Sequence, residues 1–430
     1  MERQYKESGI SWVGKIPESW DVLRNKNTFI CGKDLVGEKS SSTQLLSLTT
    51  KGIRTIKQGE TSGKVPESYD TYQTVNPNNL VMCLFDLDCS AVFAGLSPYC
   101  GMISPAYKVL SCKSTMIPQF ANYWFTYVFE GRKFMHYSKN IRYSLTYDEF
   151  SALKIVVPPL NVQQCIADYL DEKCGEIDSL IGLQEQMIEK LKAYKQSVIT
   201  ETVTKGLNPN ARLVPSGIDW IGDVPEGWAI VPLRYLGRTQ NGISKSGEYF
   251  GEGDPFVSYS DVYKNYSLPS KVTGLVKSTK QDQLLFSVEE GDVFFTRTSE
   301  TIDEIGFSCV CLNTIEKAVF AGFLIRFRPY KNILNKNFSK YYFRSSVHRA
   351  YFVKEMNIVT RASLSQELLK SMPVLLPPFD EQQAIASYLD GKCSEIDNLI
   401  AVKQQKIEKL KEYKKSVIYE AVTGKTDLRE

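Results

Sequence analysis

The chain has 430 residues, 43% apolar and 12% aromatic, enough for two or three domains with real cores. Its formal charge of +3 is mildly basic, compatible with nucleic acid but too small to specify it. No apolar run reaches the ~18 residues of a membrane helix and the N-terminus is polar, so neither a span nor a signal peptide is expected. The ten cysteines have no metal-ligand spacing and read as free thiols of a reducing cytosol.

In chain order, Ser8-Gly9-Ile10-Ser11-Trp12-Val13-Gly14, followed by Pro17 and Trp20, is a turn-rich clasp with two tryptophans to bury. It is expected to pack on its domain or on the base of a helix. Short β-rich runs at 44–50, 80–85 and 102–110 predict strands. Phe120, Tyr123, Trp124 and Phe125 lie at helical spacing and predict an aromatic core helix. Arg142 and Tyr143 follow, and Ser144 is expected to open a short helix ahead of Pro158-Pro159. After a long helix, 205–215 has a linker composition.

The whole order then repeats. Ser216-Gly217-Ile218-Asp219-Trp220-Ile221-Gly222, with Pro225 and Trp228, restates the clasp. Strands are expected at 256–259, 292–296 and 319–327. Phe338, Tyr341, Tyr342 and Phe343 restate the aromatic helix, Arg361 aligns with Arg142, and Ser363 would open the second short helix. Pro377-Pro378 precedes the second long helix. Residues 158–204 laid on 377–423 agree at 30 of 47 positions. A duplication this clear sets the order globe, helix, globe, helix.

Each long helix begins after Pro-Pro, with Asn161 or Asp380 as its expected N-cap. Leu170, Ile177, Ile181, Ile188 and Leu191 fall at heptad spacing, as do Leu389, Ile396, Ile400, Ile407 and Leu410. A helix of about 42 residues is roughly 60 Å long, and one apolar stripe on it needs a partner. The other copy is the expected one. Acids crowd the first half of one helix and lysines the second half of the other, which favours antiparallel pairing. Gln184 and Lys403 interrupt the two seams at their midpoints and are expected to meet in one polar layer. Residues 156–206 hold 8 acids and 5 bases, and 375–425 hold 8 of each, so the rest of the chain carries a net +6. Positive charge therefore lies in the globes.

No phosphate-binding loop, no dinucleotide fingerprint and no Asp/Asn-Pro-Pro-aromatic motif is present. The pattern is a scaffold for two slightly basic globes, suited to a two-part DNA site in which base edges carry sequence and phosphates carry affinity.

The Ser-Gly-Ile-x-Trp-x-Gly-x-x-Pro-x-x-Trp openings, both Pro-Pro-x-x-x-Gln-Gln helix starts and the two repeat helices resemble the specificity subunit of type I restriction–modification systems. Gly291-Asp292-Val293-Phe294-Phe295-Thr296-Arg297-Thr298-Ser299 is similar to a segment of that family's recognition domains. The resemblance spans essentially the whole chain. It implies an α+β chain: two α/β target recognition domains (1–155 and 207–374) and two long helices (156–206 and 375–430) forming an antiparallel coiled coil. It further implies a non-catalytic, cytoplasmic subunit that binds an asymmetric bipartite site on double-stranded DNA, with the coiled coil setting the spacer. Two DNA-methyltransferase subunits would carry S-adenosylmethionine, two restriction/translocase subunits would use ATP and Mg, and this chain would hold no cofactor, metal or membrane contact. The rival readings are a coiled-coil adaptor without a DNA role and a stand-alone DNA-modifying enzyme.

DNA contacts are expected from basic and hydroxyl residues at strand ends and loops: Lys51, Arg54, Arg142 and Tyr143 in the first globe, and Tyr259, Ser260, Arg297, Thr298, Ser299 and Arg361 in the second. The first globe departs from the second where Leu84-Phe85-Asp86-Leu87-Asp88 replaces a basic loop.

Overall fold

The computed structural model describes residues 3–32, 34–57, 66–90, 93–138, 143–299, 304–355 and 362–428; Arg142 and Arg361 lie outside the described residues. The chain forms two compact units, Met1–Glu185 with Gln404–Glu430, and Gln186–Lys403. Each long helix therefore gives its first part to one unit and its second part to the other.

In the first unit, Leu45–Thr49 forms a hairpin with Gly52–Ile56 and joins Gly101–Ile103 and Gln73–Val75 in one sheet. Phe29–Cys31, Lys108–Cys112, Leu80–Met82 and Ala94–Leu96 make the other. The single strand expected at 102–110 is thus two. Pro105 has no N–H for a ladder, and a turn closes there, with Tyr107 N–H donating to the Ser104 carbonyl at 3.2 Å.

The second unit repeats the plan. Gly237–Asn241, Leu324–Pro329, Val293–Thr296 and Ser308–Val310 form one sheet, and Gly274–Val276, Phe250–Val257 and Val319–Phe320 another. The strand expected at 319–327 breaks at Gly322, where a Cβ would lie 2.5 Å from Ser244 Oγ. The strand expected at 256–259 stops at Val257 because Ser258 and Asp261 form a capping box that opens the helix Tyr259–Lys264. Tyr259 and Ser260 therefore sit in a first helical turn, not at a strand end.

Both aromatic helices are core, as expected. Pro118–Glu130 buries Phe120, Trp124 and Phe125, and Lys336–Tyr342 buries Phe338 and Tyr342. The short helices start two residues later than expected. Thr146 caps Tyr147–Ala152 through a box with Glu149, and Ser365 caps Gln366–Ser371. Ser144 instead accepts the Asp86 N–H, and Ser363 pairs with Thr298 in a short strand.

The long helices run Leu160–Lys205 and Phe379–Val422. Helical bonding starts at the prolines: Gln163 N–H donates to the Pro159 carbonyl at 2.9 Å, and Gln382 N–H to that of Pro378 at 3.0 Å. Asn161 and Asp380 thus lie within the first turn, not at the N-cap. What holds each start is a buried glutamine. Gln163 Oε1 accepts the Ile117 N–H at 2.8 Å, and its Nε2 donates to the Thr115 and Pro158 carbonyls at 2.9 and 2.8 Å. Gln382 does the same with the Asn335 N–H at 2.8 Å and the Ile333 and Pro377 carbonyls, both at 3.0 Å. Each amide ties a long helix to the head of an aromatic helix.

The other end of each helix is held by a clasp. Gly424 has φ +72°, and a Cβ there would lie 2.9 Å from the Trp20 ring. Gly206, also at φ +72°, packs on Trp228, whose Nε1 donates to Glu381 Oε2 at 3.0 Å. Only glycine fits both the left-handed turn and the indole.

Within each unit the helical segments run antiparallel. In the first, Ile166, Leu170 and Cys174 share a core with Val417, Ile418 and Ala421, and Lys414 pairs with Asp178 at 2.7 Å. In the second, Lys195 pairs with Asp397 at 2.6 Å. The second ion pair is the first shifted by the repeat. Leu170, Ile177, Gln184, Ile188, Leu389, Ile396 and Ile407 are buried, and Ile181, Leu191, Ile400, Lys403 and Leu410 half-buried. Gln184 Oε1 accepts no hydrogen bond from a described residue. Gln184 and Lys403 belong to different units.

Two outcomes follow. Gln382→Leu strands one N–H and two carbonyls in the core, which costs about 2–4 kcal/mol in denaturant unfolding; Gln383→Leu, at the exposed neighbour, costs about 0.5 kcal/mol or less. His348 is buried edge-on against Tyr342, and burial, then the Arg349 charge, pushes its pKa down to about 3. The unfolded chain, with a histidine pKa of about 6.5, binds more protons between those values. This contribution is intact above pH ~6.5 and is lost, at about 1.4 kcal/mol per pH unit, as pH falls toward 3. Melting curves of His348→Gln between pH 4 and 6.5 should therefore be flatter than those of the parent chain.

Candidate nucleic-acid interface

In the second unit, Arg297 follows the buried strand Val293–Thr296. Its backbone is pinned on both sides: its N–H donates to the Phe323 carbonyl at 2.9 Å, and its carbonyl accepts the Leu364 N–H at 2.7 Å. Thr298–Ser299 then pairs antiparallel with Ala362–Ser363. These segments border a cleft of about 570 Å³ whose walls are Ile243, Phe250, Phe256, Tyr259 and Phe323, with Arg297, Thr298, Ser363, Ser244 and Lys245 as the polar groups.

Tyr259 reaches the cleft from its capped helix and stacks on Tyr263, with centroids 5.9 Å apart and an interplanar angle of 18°. Burial pushes its phenol pKa up against the opposing bond to Thr296. The far end of that helix is held by Arg344, whose guanidinium donates to the Tyr263 and Asn265 carbonyls at 2.7 and 3.1 Å.

The two cations of the cleft are in different states. Lys245 Nζ donates to Asp282 Oδ2 at 2.9 Å and to the Lys277 carbonyl at 2.7 Å, so its charge is compensated. The same bond holds the Asp282 carboxyl below its ordinary range. Arg297 is half-buried and its guanidinium makes no hydrogen bond or ion pair with a described residue.

Tyr259, Arg297 and Thr298 thus come together. Ser260, exposed on the helix, and Ser299, which is buried, do not line the cleft. In the first unit Lys51 sits exposed in the turn of the hairpin, and Arg54 is exposed on its second strand opposite Ser47. Tyr143 is exposed at φ +45°, on the segment leading to the short helix, and its carbonyl accepts the Leu87 N–H at 3.2 Å. Sequence reasoning missed Lys245 and Phe323. Phe323 is 65% exposed, and the glycine before it, ending one strand and starting another, was the available signal.

Two backbone bonds recur at this loop in both units. Thr296 N–H donates to the Phe307 carbonyl at 2.9 Å as Cys83 N–H does to that of Phe93 at 2.7 Å. Leu364 N–H donates to Arg297 as Leu145 N–H does to Leu84, both at 2.7 Å. Leu84 therefore occupies the place of Arg297, and Asp86 that of Ser299. The nearby Arg132 is structural: it donates to the Leu87 and Ser90 carbonyls at 2.6 and 2.9 Å and stacks on Phe129.

Among the described residues no cluster of three or more His, Cys, Asp or Glu is placed to hold a metal, and no helix is long and apolar enough to cross a membrane. Residues 225–412 match the family model for the type I restriction modification DNA specificity domain. The type I restriction enzyme MjaVIII specificity subunit of Methanocaldococcus jannaschii is 24% identical across 98% of this chain and 96% of its own. A chain from a structure of type I R-M system assembly superposes with a TM-score of 0.70 at 14% identity, covering 95% of this chain and 98% of that one. The HsdS subunit from Thermoanaerobacter tengcongensis gives 0.50 at 15% identity, covering 96% and 98%. The two solved structures share the fold. Matched along nearly its whole length by such relatives and in fold, the chain is similar to the type I restriction–modification DNA specificity subunits, and residues 225–412 carry the match to that family's domain model.

Proposed function

We propose that the chain reads an asymmetric, two-part site on double-stranded DNA, one half with each recognition domain (1–155 and 207–374), and performs no chemistry itself. The observation that carries this reading is the loop shared by the two units. The carbonyls of Arg297 in one and Leu84 in the other accept the same backbone bond, from Leu364 and Leu145, so equivalent frames present unlike groups. Equivalent readers with unlike chemistry require a site with unlike halves. The long helices set the spacer between those halves.

The helices also carry exposed apolar residues in repeat-related pairs: Leu180 with Leu399, Leu183 with Val402, and Tyr194 with Tyr413. Duplicated apolar faces suit two copies of one partner. In this reading those are two DNA-methyltransferase subunits, which supply S-adenosylmethionine chemistry on adenine, with two ATP-driven restriction subunits completing a cytoplasmic complex.

Methylome sequencing of a host with and without this chain tests the proposal. A two-part adenine-modified motif with non-identical halves should vanish when the chain is removed; a motif that persists contradicts the reading. The purified chain alone, given DNA and S-adenosylmethionine, should transfer no methyl group.

A further inference from the structure

Resting on the bipartite reading above, we infer that Arg297 reads a guanine in the half-site bound by the second unit, and that the first unit reads no guanine from the equivalent position. Three observations carry this. First, the residue's backbone is held in place. Its N–H and carbonyl are both bonded, at 2.9 and 2.7 Å, and aromatic walls half-bury its side chain. A planar guanidinium fork projected from a held backbone suits a two-acceptor edge, and the O6 and N7 of guanine are that edge in the major groove. Second, the cleft is not a polyanion cradle. Its other cation, Lys245, is compensated by Asp282 and the Lys277 carbonyl, leaving Arg297 as the cleft's one uncompensated charge among the described residues. A phosphate track gathers affinity from several free cations. Third, the two backbone bonds shared by the two loops put Leu84, buried and apolar, where Arg297 stands. A sequence-independent backbone grip would serve both units alike, whereas a base contact has reason to differ.

The test uses the full chain with its methyltransferase partner. Methylomes are compared for the parent, Arg297→Ala and Arg297→Lys. One position of one half-site, a guanine in the parent motif, should become degenerate in both variants, with discrimination falling about 5- to 150-fold. The other half-site should stay unchanged and serves as the internal control for folding. In parallel, binding of the parent complex is measured on duplexes carrying 7-deazaguanine, which lacks the N7 acceptor, at each guanine in turn. Only the Arg297-dependent guanine should weaken binding by several-fold. An Arg297→Ala methylome with the same motif and uniformly lower occupancy overturns the inference, since that is the signature of a phosphate contact. So does a duplex series in which no 7-deazaguanine matters. Either result leaves the two-part reading standing, whereas a parent complex with no two-part motif takes both down.

Discussion

One buried amide at the start of each long helix is the constraint on which the remainder rests. Gln163 and Gln382 each spend one acceptor and two donors on backbone groups from three separate points: the head of an aromatic helix, the turn before it, and the proline ahead of the long helix. A buried amide with all three partners in place resists any rocking of helix against globe, because movement would strand polar groups without water. The clasp acts at the opposite end, where Gly424 meets Trp20 and Gly206 meets Trp228. Each globe is thereby bonded to the beginning of one long helix and packed on the end of the other.

A frame held this firmly can vary its chemistry without losing position. The strand before the loop is buried in both units, and two backbone bonds at the loop recur in both. Backbone bonds are indifferent to side chains, so Arg297 and Leu84 can occupy the same place with opposite character. The stable parts are the ones that repeat: Pro-Pro, the glutamine, the seam and the ion pair Asp178–Lys414, which recurs as Lys195–Asp397. The side chains at the Arg297 and Leu84 position are among the parts that do not.

Legibility in the sequence followed the range of the interaction. The long helices were readable because heptad spacing and Pro-Pro boundaries are local signals, and antiparallel pairing because charge is graded along each helix. The aromatic helices were readable as core for the same reason. Strand limits were lost where one residue decides: Pro105 and Gly322 each divide what looked like a single run. The capping boxes Thr146–Glu149 and Ser258–Asp261 were local too, and reading them would have placed Tyr259 on a helix. The glutamines stood out as identities, but their role did not, since Ile117 and Asn335 lie far upstream. The cleft was not legible at all. Its walls come from around residues 243, 256, 297, 323 and 363, and no pattern in the chain marks side chains that only the folded sheet brings together.

The central claim is that two equivalent frames on antiparallel helices read two unlike half-sites. Its most direct test is a chain in which residues 8–157 are replaced by a second copy of 216–376, joined to the same Pro-Pro helix start and assembled with the methyltransferase. The account requires the methylated motif to become an inverted repeat of the second half-site, with the first half-site gone. An unsymmetrical motif that still contains the first half-site would contradict it.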